Sequence, residues 1–255
     1  MAQFEHELEV ARAAALKAGE VALRYREKGI GFETKADASP VTVADRESER
    51  LIARALDDAF PDDGLLGEEG AAKPSRSGRR WIIDPIDGTK DYVRGVPVWA
   101  NLIGLEENGE IVAGVANFAG RSEMYFASRG SGAYCNDRSI RISSVTTVSE
   151  ASICLTGLNN FGKYAFCGKL FSWISPFWSV RCYGGSMDAM LLARGEVDVW
   201  MEASVKPWDL AALKIITEEA GAKFFDFTGA STINGGNCVV SVPALVDEVR
   251  RFLGI

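Results

Sequence analysis

An apolar run, Trp81-Ile82-Ile83, leads directly into Asp84-Pro85-Ile86-Asp87-Gly88-Thr89, and few folds can accommodate that junction. The three apolar residues suit a compact buried strand. Pro85 has no N–H to offer a ladder, so the strand is expected to stop at Asp84. Asp87 then lies a short turn away, and both carboxylates can face one point. Gly88 lets a ligand approach the backbone closely. Thr89 offers a hydroxyl at the start of a short helix expected over Thr89 to Val93, whose free N–H groups suit a phosphate.

The flanking pattern is helical before this junction and strand-rich after it. Phe4 to Glu27 reads as a long amphipathic helix, with Phe4, Leu8, Ala11, Ala15, Ala18 and Ala22 on one face. A loop is expected at Lys35 to Pro40. Thr42-Val43-Ala44-Asp45 looks like a capping box opening a second helix through Ala59, and Pro61-Asp62-Asp63-Gly64 ends it. Leu65-Leu66 is a short apolar step. Asn108-Gly109 is a strong turn signal between Leu102–Leu105 and Ile111–Val115, and strands follow at Met124–Ala127 and Ala133–Cys135. The second half alternates: strands at Ala151–Leu155, Val197–Met201 and Lys223–Phe227, helices at Gly184–Arg194, Pro207–Ala220 and Pro243–Leu253. The aromatic stretch Asn159 to Trp178 lacks periodicity and reads as a loop over the site or a dimer surface. Two packed subdomains, 1–145 and 146–255, are expected.

Acidic residues gather at four such turning points: Asp45, Glu68-Glu69 after Gly67, Asp84 with Asp87, and Asp209 in Lys206-Pro207-Trp208-Asp209. Carboxylates placed close together repel, and something positive must neutralise them. All-oxygen ligand sets select hard cations, and Mg²⁺ fits a few carboxylates plus waters and a substrate phosphate. His6 is the only histidine, which excludes a His-rich zinc site and any His-based nucleophilic triad. The net charge of −7 disfavours a nucleic-acid or anionic-membrane binder. The five cysteines form no CxxC pair and read as reduced thiols. No signal peptide or bilayer-spanning run is visible, so a cytoplasmic location is expected.

Asp37 to Asp45, Gly67-Glu68-Glu69, Trp81 to Thr89 and Pro207-Trp208-Asp209 together resemble the inositol monophosphatase superfamily, in the right order and over nearly the whole chain. The resemblance implies an α+β fold, a layered αβαβα sandwich that is usually dimeric and inhibited by Li⁺. It implies a phosphatase acting on a small phosphorylated metabolite with two or three Mg²⁺ ions. Glu68, Asp84 and the Ile86 carbonyl would hold one ion and Asp84, Asp87 and Asp209 a second. Gly88 and Thr89, beside Asp87, would contact the phosphate. Thr89 and Glu68 would position the attacking water, with Asp45 holding the Thr89 hydroxyl. Gly184, Gly185, Glu202 and Asp209 would meet the rest of the substrate.

Within that superfamily, Lys90 to Ala100 and Trp208 to Leu213 look most like the histidinol-phosphate phosphatase branch. One departure stands out: many members of that branch carry an acidic residue at or just after the position of Gly185. Asp188 or Glu202 would take over recognition of the cationic amine here, or the substrate is not cationic. Inositol-1-phosphate, another sugar or nucleotide phosphate, and a non-catalytic regulatory role on the same fold are the competing readings. Blander readings stand beside the sharp ones. Asp45 can be a helix cap, Asp209 a first-turn acid, Glu69 structural, Lys35 a surface lysine and Glu202 an edge-of-sheet charge. Trp99, Trp200 and Trp208 read as core, Trp173, Phe177 and Trp178 as interface or packing. Asp57-Asp58 and Asp62-Asp63 read as solvated turn acids.

Overall fold

The computed structural model describes residues 3–29, 31, 33–34 and 40–255. Lys35 and the Asp37-Ala38-Ser39 part of the first motif lie outside the described residues. Seven α-helices run over Glu5–Lys28 (α1), Val43–Ala59 (α2), Thr89–Arg94 (α3), Leu170–Ile174 (α4), Gly185–Ala193 (α5), Pro207–Glu219 (α6) and Val246–Leu253 (α7). The strands are Glu33–Thr34 (β1), Pro40–Val41 (β2), Gly64–Gly67 (β3), Ala72–Lys73 (β4), Arg79–Asp87 (β5), Ala100–Glu107 (β6), Glu110–Phe118 (β7), Glu123–Ser128 (β8), Ala133–Cys135 (β9), Arg138–Ile140 (β10), Ser152–Thr156 (β11), Ser179–Arg181 (β12), Val199–Ala203 (β13), Lys223–Phe225 (β14) and Asn237–Ser241 (β15).

These elements stack in five layers, αβαβα. The small residues on one face of α1 pack with Ile52 and Leu56 of α2 against Trp81, Ile83, Ile103 and Val115, covering one side of an eight-stranded sheet ordered β10-β9-β8-β7-β6-β5-β3-β4. Helices α5 and α6 fill the space between that sheet and a five-stranded one ordered β12-β11-β13-β15-β14. Helix α7 and the aromatic segment cover the far side of the second sheet through Phe161, Leu170, Phe177 and Val249. Most of that segment is therefore packing, although Phe171 and Trp178 stay exposed.

Helix α6 sits unusually close to the first sheet. Gly104 and Gly114 face each other across β6 and β7, and a Cβ at Gly114 would lie only 2.8 Å from the Ala212 carbonyl oxygen. One at Gly104 would lie 2.6 Å from the Ala211 Cβ. This glycine pair is the seat of α6, and α6 carries Asp209. Gly114→Val should therefore destabilise the protein by about 1–3 kcal/mol through overpacking. The check is the urea midpoint, and an unchanged midpoint would show that the close approach is not needed.

Three expectations need correction, and one strand was not expected. The strand does not stop at Asp84 but continues through Pro85 to Asp87. The region 197–201 is shifted, with β13 running Val199–Ala203. The interior strand β15 gave no usable signal: all five of its residues are buried, so hydrophobic alternation is absent. Asp63 is not a solvated turn acid. It is 4% exposed and accepts hydrogen bonds from Trp81 Nε1 at 3.0 Å and Arg79 at 2.7 Å. No helix among the described residues is long and apolar enough to cross a membrane.

Candidate active site

Side chains on a strand alternate in direction, so residues three apart normally face opposite sides. In β5, Asp84 pairs with Leu102 and Asp87 with Ala100, three steps against two on the neighbouring strand. The extra residue is a β-bulge, and it returns Asp87 to the side that Asp84 faces. Pro85 fits the bulge because no ladder hydrogen bond is required of it there. Its carbonyl accepts from Asn101 Nδ2 at 2.5 Å, and Asn101 Oδ1 accepts in turn from Asn117 Nδ2 at 3.1 Å. The Ile86 N–H donates to Asp84 Oδ1 at 3.1 Å, which fixes that carboxylate. Gly88, at φ 80°, then turns the chain into α3, and α3 is tied down by the Tyr92 hydroxyl donating to Ala22 O at 2.8 Å.

The other acids arrive from separate elements. Asp45 closes the capping box of α2: its Oδ2 accepts from Thr42 N at 2.8 Å and Thr42 Oγ1 at 2.5 Å. Its Oδ1 is left for the Thr89 hydroxyl at 3.3 Å, which also reaches Ile86 O at 3.1 Å. Asp45 is thus both a cap and a neighbour of Thr89. Glu68 follows β3, with its N–H donating to Ile83 O at 3.1 Å. Asp209, on the first turn of α6, accepts from Lys206 N at 2.8 Å. Asp84, Asp87 and Asp209 each offer an oxygen within 4.8 Å of the other two.

The electrostatics are those of an under-neutralised cluster. Burial, then the charges of Glu68, Asp87 and Asp209, push the Asp84 carboxyl well above the usual range. Burial raises Asp87 to about 6 even though Ser186 opposes the shift. Burial and then Asp87 raise Asp209 to about 7. Burial also raises Asp45. The groups that perturb the three clustered aspartates most are other carboxylates and hydrogen-bond donors, none of them a cation. An all-oxygen donor set, buried at Asp84 and half-buried at Asp87 and Asp209, with this much mutual repulsion fits a hard divalent cation.

A cleft of about 600 Å³ opens beside the cluster, lined among others by Glu68, Thr89, Asp91, Tyr183, Gly185 and Glu202. Gly184 and Gly185, at the start of α5, form part of its wall. Burial, followed by the charges of Asp87 and Asp209, raises Glu202 well above the usual range. A Cβ at Gly185 would lie 2.4 Å from Glu202 Oε2. Asp188 is different: it is fully buried, and its carboxylate accepts from Thr156 Oγ1 at 2.7 Å and Tyr183 N at 2.9 Å.

Residues 4–250 match the inositol monophosphatase family. The chain belongs to the inositol monophosphatase family. It is 37% identical to a histidinol-phosphatase of Mycobacterium tuberculosis over 97% of both chains. It is 36% identical to an inositol-1-monophosphatase of Rhizobium meliloti, covering 96% of this chain and 95% of the other. Among solved structures, the extragenic suppressor protein suhB of Bartonella henselae superposes with a TM-score of 0.90 at 31% identity, over 98% of each chain. The protein is accordingly a phosphoric monoester hydrolase for small phosphorylated substrates, in a family that is generally metal-dependent.

Sequence reasoning missed several residues of this phosphatase's site. Glu49 is 4% exposed and its carboxylate accepts from Glu69 N at 2.7 Å and Ala71 N at 2.8 Å, which shapes the turn that presents Glu68. Its signal was there, since it lies one helical turn after Asp45 on α2. Asp91, Thr156, Asn159, Asn160 and Cys182 also line the cleft, and no local pattern marks them. All five cysteines are free, with Cys182 exposed.

Proposed function

We propose that this phosphatase hydrolyses histidinol phosphate in a Mg²⁺-dependent reaction. The observation that carries the substrate is Glu202. Its half-buried carboxylate lines the cleft with neither a cation nor a hydrogen bond perturbing it among the described residues, and it occupies the space that a side chain at position 185 would fill. An ammonium-bearing leaving group would complete it. Asp188 is the weaker candidate for that role because its oxygens are already engaged. The likeness to histidinol-phosphatases supports the same choice.

In this reading Glu68, Asp84, Asp87, Asp209 and the Ile86 carbonyl would hold two or three divalent ions. When bound, such ions neutralise the carboxylates and act as Lewis acids toward the phosphoryl oxygens. The remaining work belongs to the chain. The N–H groups of Gly88 and Thr89 hold phosphate oxygens at the start of α3. Asp45 and Ile86 O accept from the Thr89 hydroxyl, so the hydroxyl oxygen is free to accept from a water placed in line with phosphorus. Glu68 orients that water and takes its proton. Fixed groups lower the barrier here mainly by positioning and charge stabilisation. By family likeness the reading extends to a cytoplasmic homodimer inhibited by Li⁺, and to two subdomains meeting near residue 145, the second supplying Asp209.

Inositol-1-phosphate is the second reading, favoured by relatives of that name. An intact acidic set speaks against a non-catalytic regulatory role. A substrate panel at fixed Mg²⁺ separates the esters. Histidinol phosphate should have the highest kcat/KM, and Glu202→Gln should lower it roughly tenfold or more while affecting inositol-1-phosphate less. Equal losses on both esters, or a preference for inositol-1-phosphate, would overturn the substrate assignment.

A further inference from the structure

The ends of β11 and β13 meet at the cleft. These strands are parallel neighbours, and Thr156 pairs with Glu202 in their register, so the two side chains leave one face of the sheet about 5 Å apart. Both residues are half-buried and line the cleft. On the protein side the Thr156 hydroxyl is already committed. Its Oγ1 accepts from Trp200 Nε1 at 3.3 Å and donates to Asp188 Oδ2 at 2.7 Å. The direction of each bond is fixed, because an indole N–H can only donate and an ionised carboxylate can only accept. Asp188 is fully buried, and its other oxygen accepts from Tyr183 N at 2.9 Å. A carboxylate without exposure is costly unless its oxygens are occupied, and both of these are. A hydroxyl oxygen that has given up its proton and filled one lone pair keeps one lone pair. Thr156 can therefore offer the cleft an acceptor and nothing else.

We propose that Thr156 and Glu202 form a two-acceptor seat for the ammonium of the leaving group, and that Asp188 is a positioning residue that keeps the Thr156 proton turned away from it. An ammonium carries three donors and no acceptor. Neighbouring hydroxyl and carboxylate oxygens match it, and a hydroxyl proton aimed at it would not. Asp188 acts without touching the substrate. One of its oxygens sets the Thr156 hydroxyl, and the other holds the Tyr183 N–H, where the chain enters the Gly184-Gly185 wall. This inference rests on the histidinol-phosphate reading above and deepens it, and its test separates the two.

The experiment compares histidinol phosphate with its des-amino analogue, the same ester with hydrogen in place of the amine, at fixed Mg²⁺. The proteins are wild type, Thr156→Val, Thr156→Ser and Asp188→Asn, all full-length. Thr156→Val removes the acceptor and Thr156→Ser keeps it. Asp188→Asn keeps the hydroxyl but reverses its polarity: the amide oxygen must take the Tyr183 N–H, so the amide NH₂ donates to Thr156 and the hydroxyl proton turns into the cleft. Wild type should favour histidinol phosphate. Thr156→Val and Asp188→Asn should each raise its KM roughly tenfold or more, with kcat and the kcat/KM of the des-amino ester held within about threefold. Thr156→Ser should stay near wild type on both esters. If wild type prefers the amine-bearing ester and either folded variant keeps that preference, the Thr156 and Asp188 roles are overturned and the substrate reading stands. Comparable losses on the two esters would make these residues packing groups and overturn the proposal as well. If wild type shows no preference for the amine, the histidinol-phosphate reading fails and takes this inference with it. Thr156→Val decides among these outcomes by itself if Asp188→Asn does not fold.

Discussion

Asp87→Asn should lower kcat/KM on the order of a thousandfold while raising the melting temperature of the divalent-free protein at pH 8. The two effects have one cause. Asp87 sits on the bulge that turns it toward Asp84, so it cannot be replaced as a ligand by a neighbour. It is also a source of repulsion: its charge raises both Asp84 and Asp209. The amide keeps the size of the side chain and removes the charge, so the apo fold is relieved at the moment the ion site is disabled. Loss of activity together with loss of stability would instead mean that Asp87 holds the fold together. Wild-type turnover in this variant would remove it from the site.

The second large effect is the dependence of ion stabilisation on pH. Asp87 at about 6 and Asp209 at about 7 lie above the ordinary unfolded value of about 3.9. Between those values the folded protein binds more protons than the unfolded chain, so metal-free stability falls as pH rises from about 4 to about 7. The raised carboxyls of Asp45, Asp84 and Glu202 act in the same direction. Glu123, which the Arg121 and Tyr125 hydrogen bonds hold low against burial, has the opposite sign. Mg²⁺ binds the deprotonated cluster, so its stabilisation should be small at pH 5.5 and large at pH 8. At about a hundredfold excess over Kd the rise in Tm at pH 8 should be roughly 5–10 °C. Thermal melts with EDTA or Mg²⁺ at both pH values provide the check, and an equal rise at both would contradict the cluster's protonation.

Much of this was legible because the chemistry is local in sequence. Asp84-Pro85-Ile86-Asp87-Gly88-Thr89 holds a strand, a bulge and a helix start in six residues, and Thr42 with Asp45 spells out its own cap. The course of the strand was misread because Pro85 argues against a ladder, whereas the carbonyl support from Asn101 and Asn117 comes from strands read later in the chain. Asp63 was misread for a related reason. Its Pro61-Asp62-Asp63-Gly64 setting has turn composition, but Trp81 and Arg79 bury it from a strand that follows. The competition between Asp188 and Glu202 could not be decided from spacing. It turns on which carboxylate Thr156 and Tyr183 engage, and on the contact between Gly185 and Glu202.

The central claim is that carboxylates from β5 and α6, with Glu68 beside them, form one divalent-cation site. The most direct measurement is an anomalous difference map from crystals grown with Mn²⁺, recorded above and below the manganese edge. The account predicts a strong edge-dependent peak within coordination distance of Asp84, Asp87 and Asp209. A map featureless at that point, from crystals whose protein is active in the same Mn²⁺ buffer, would contradict it.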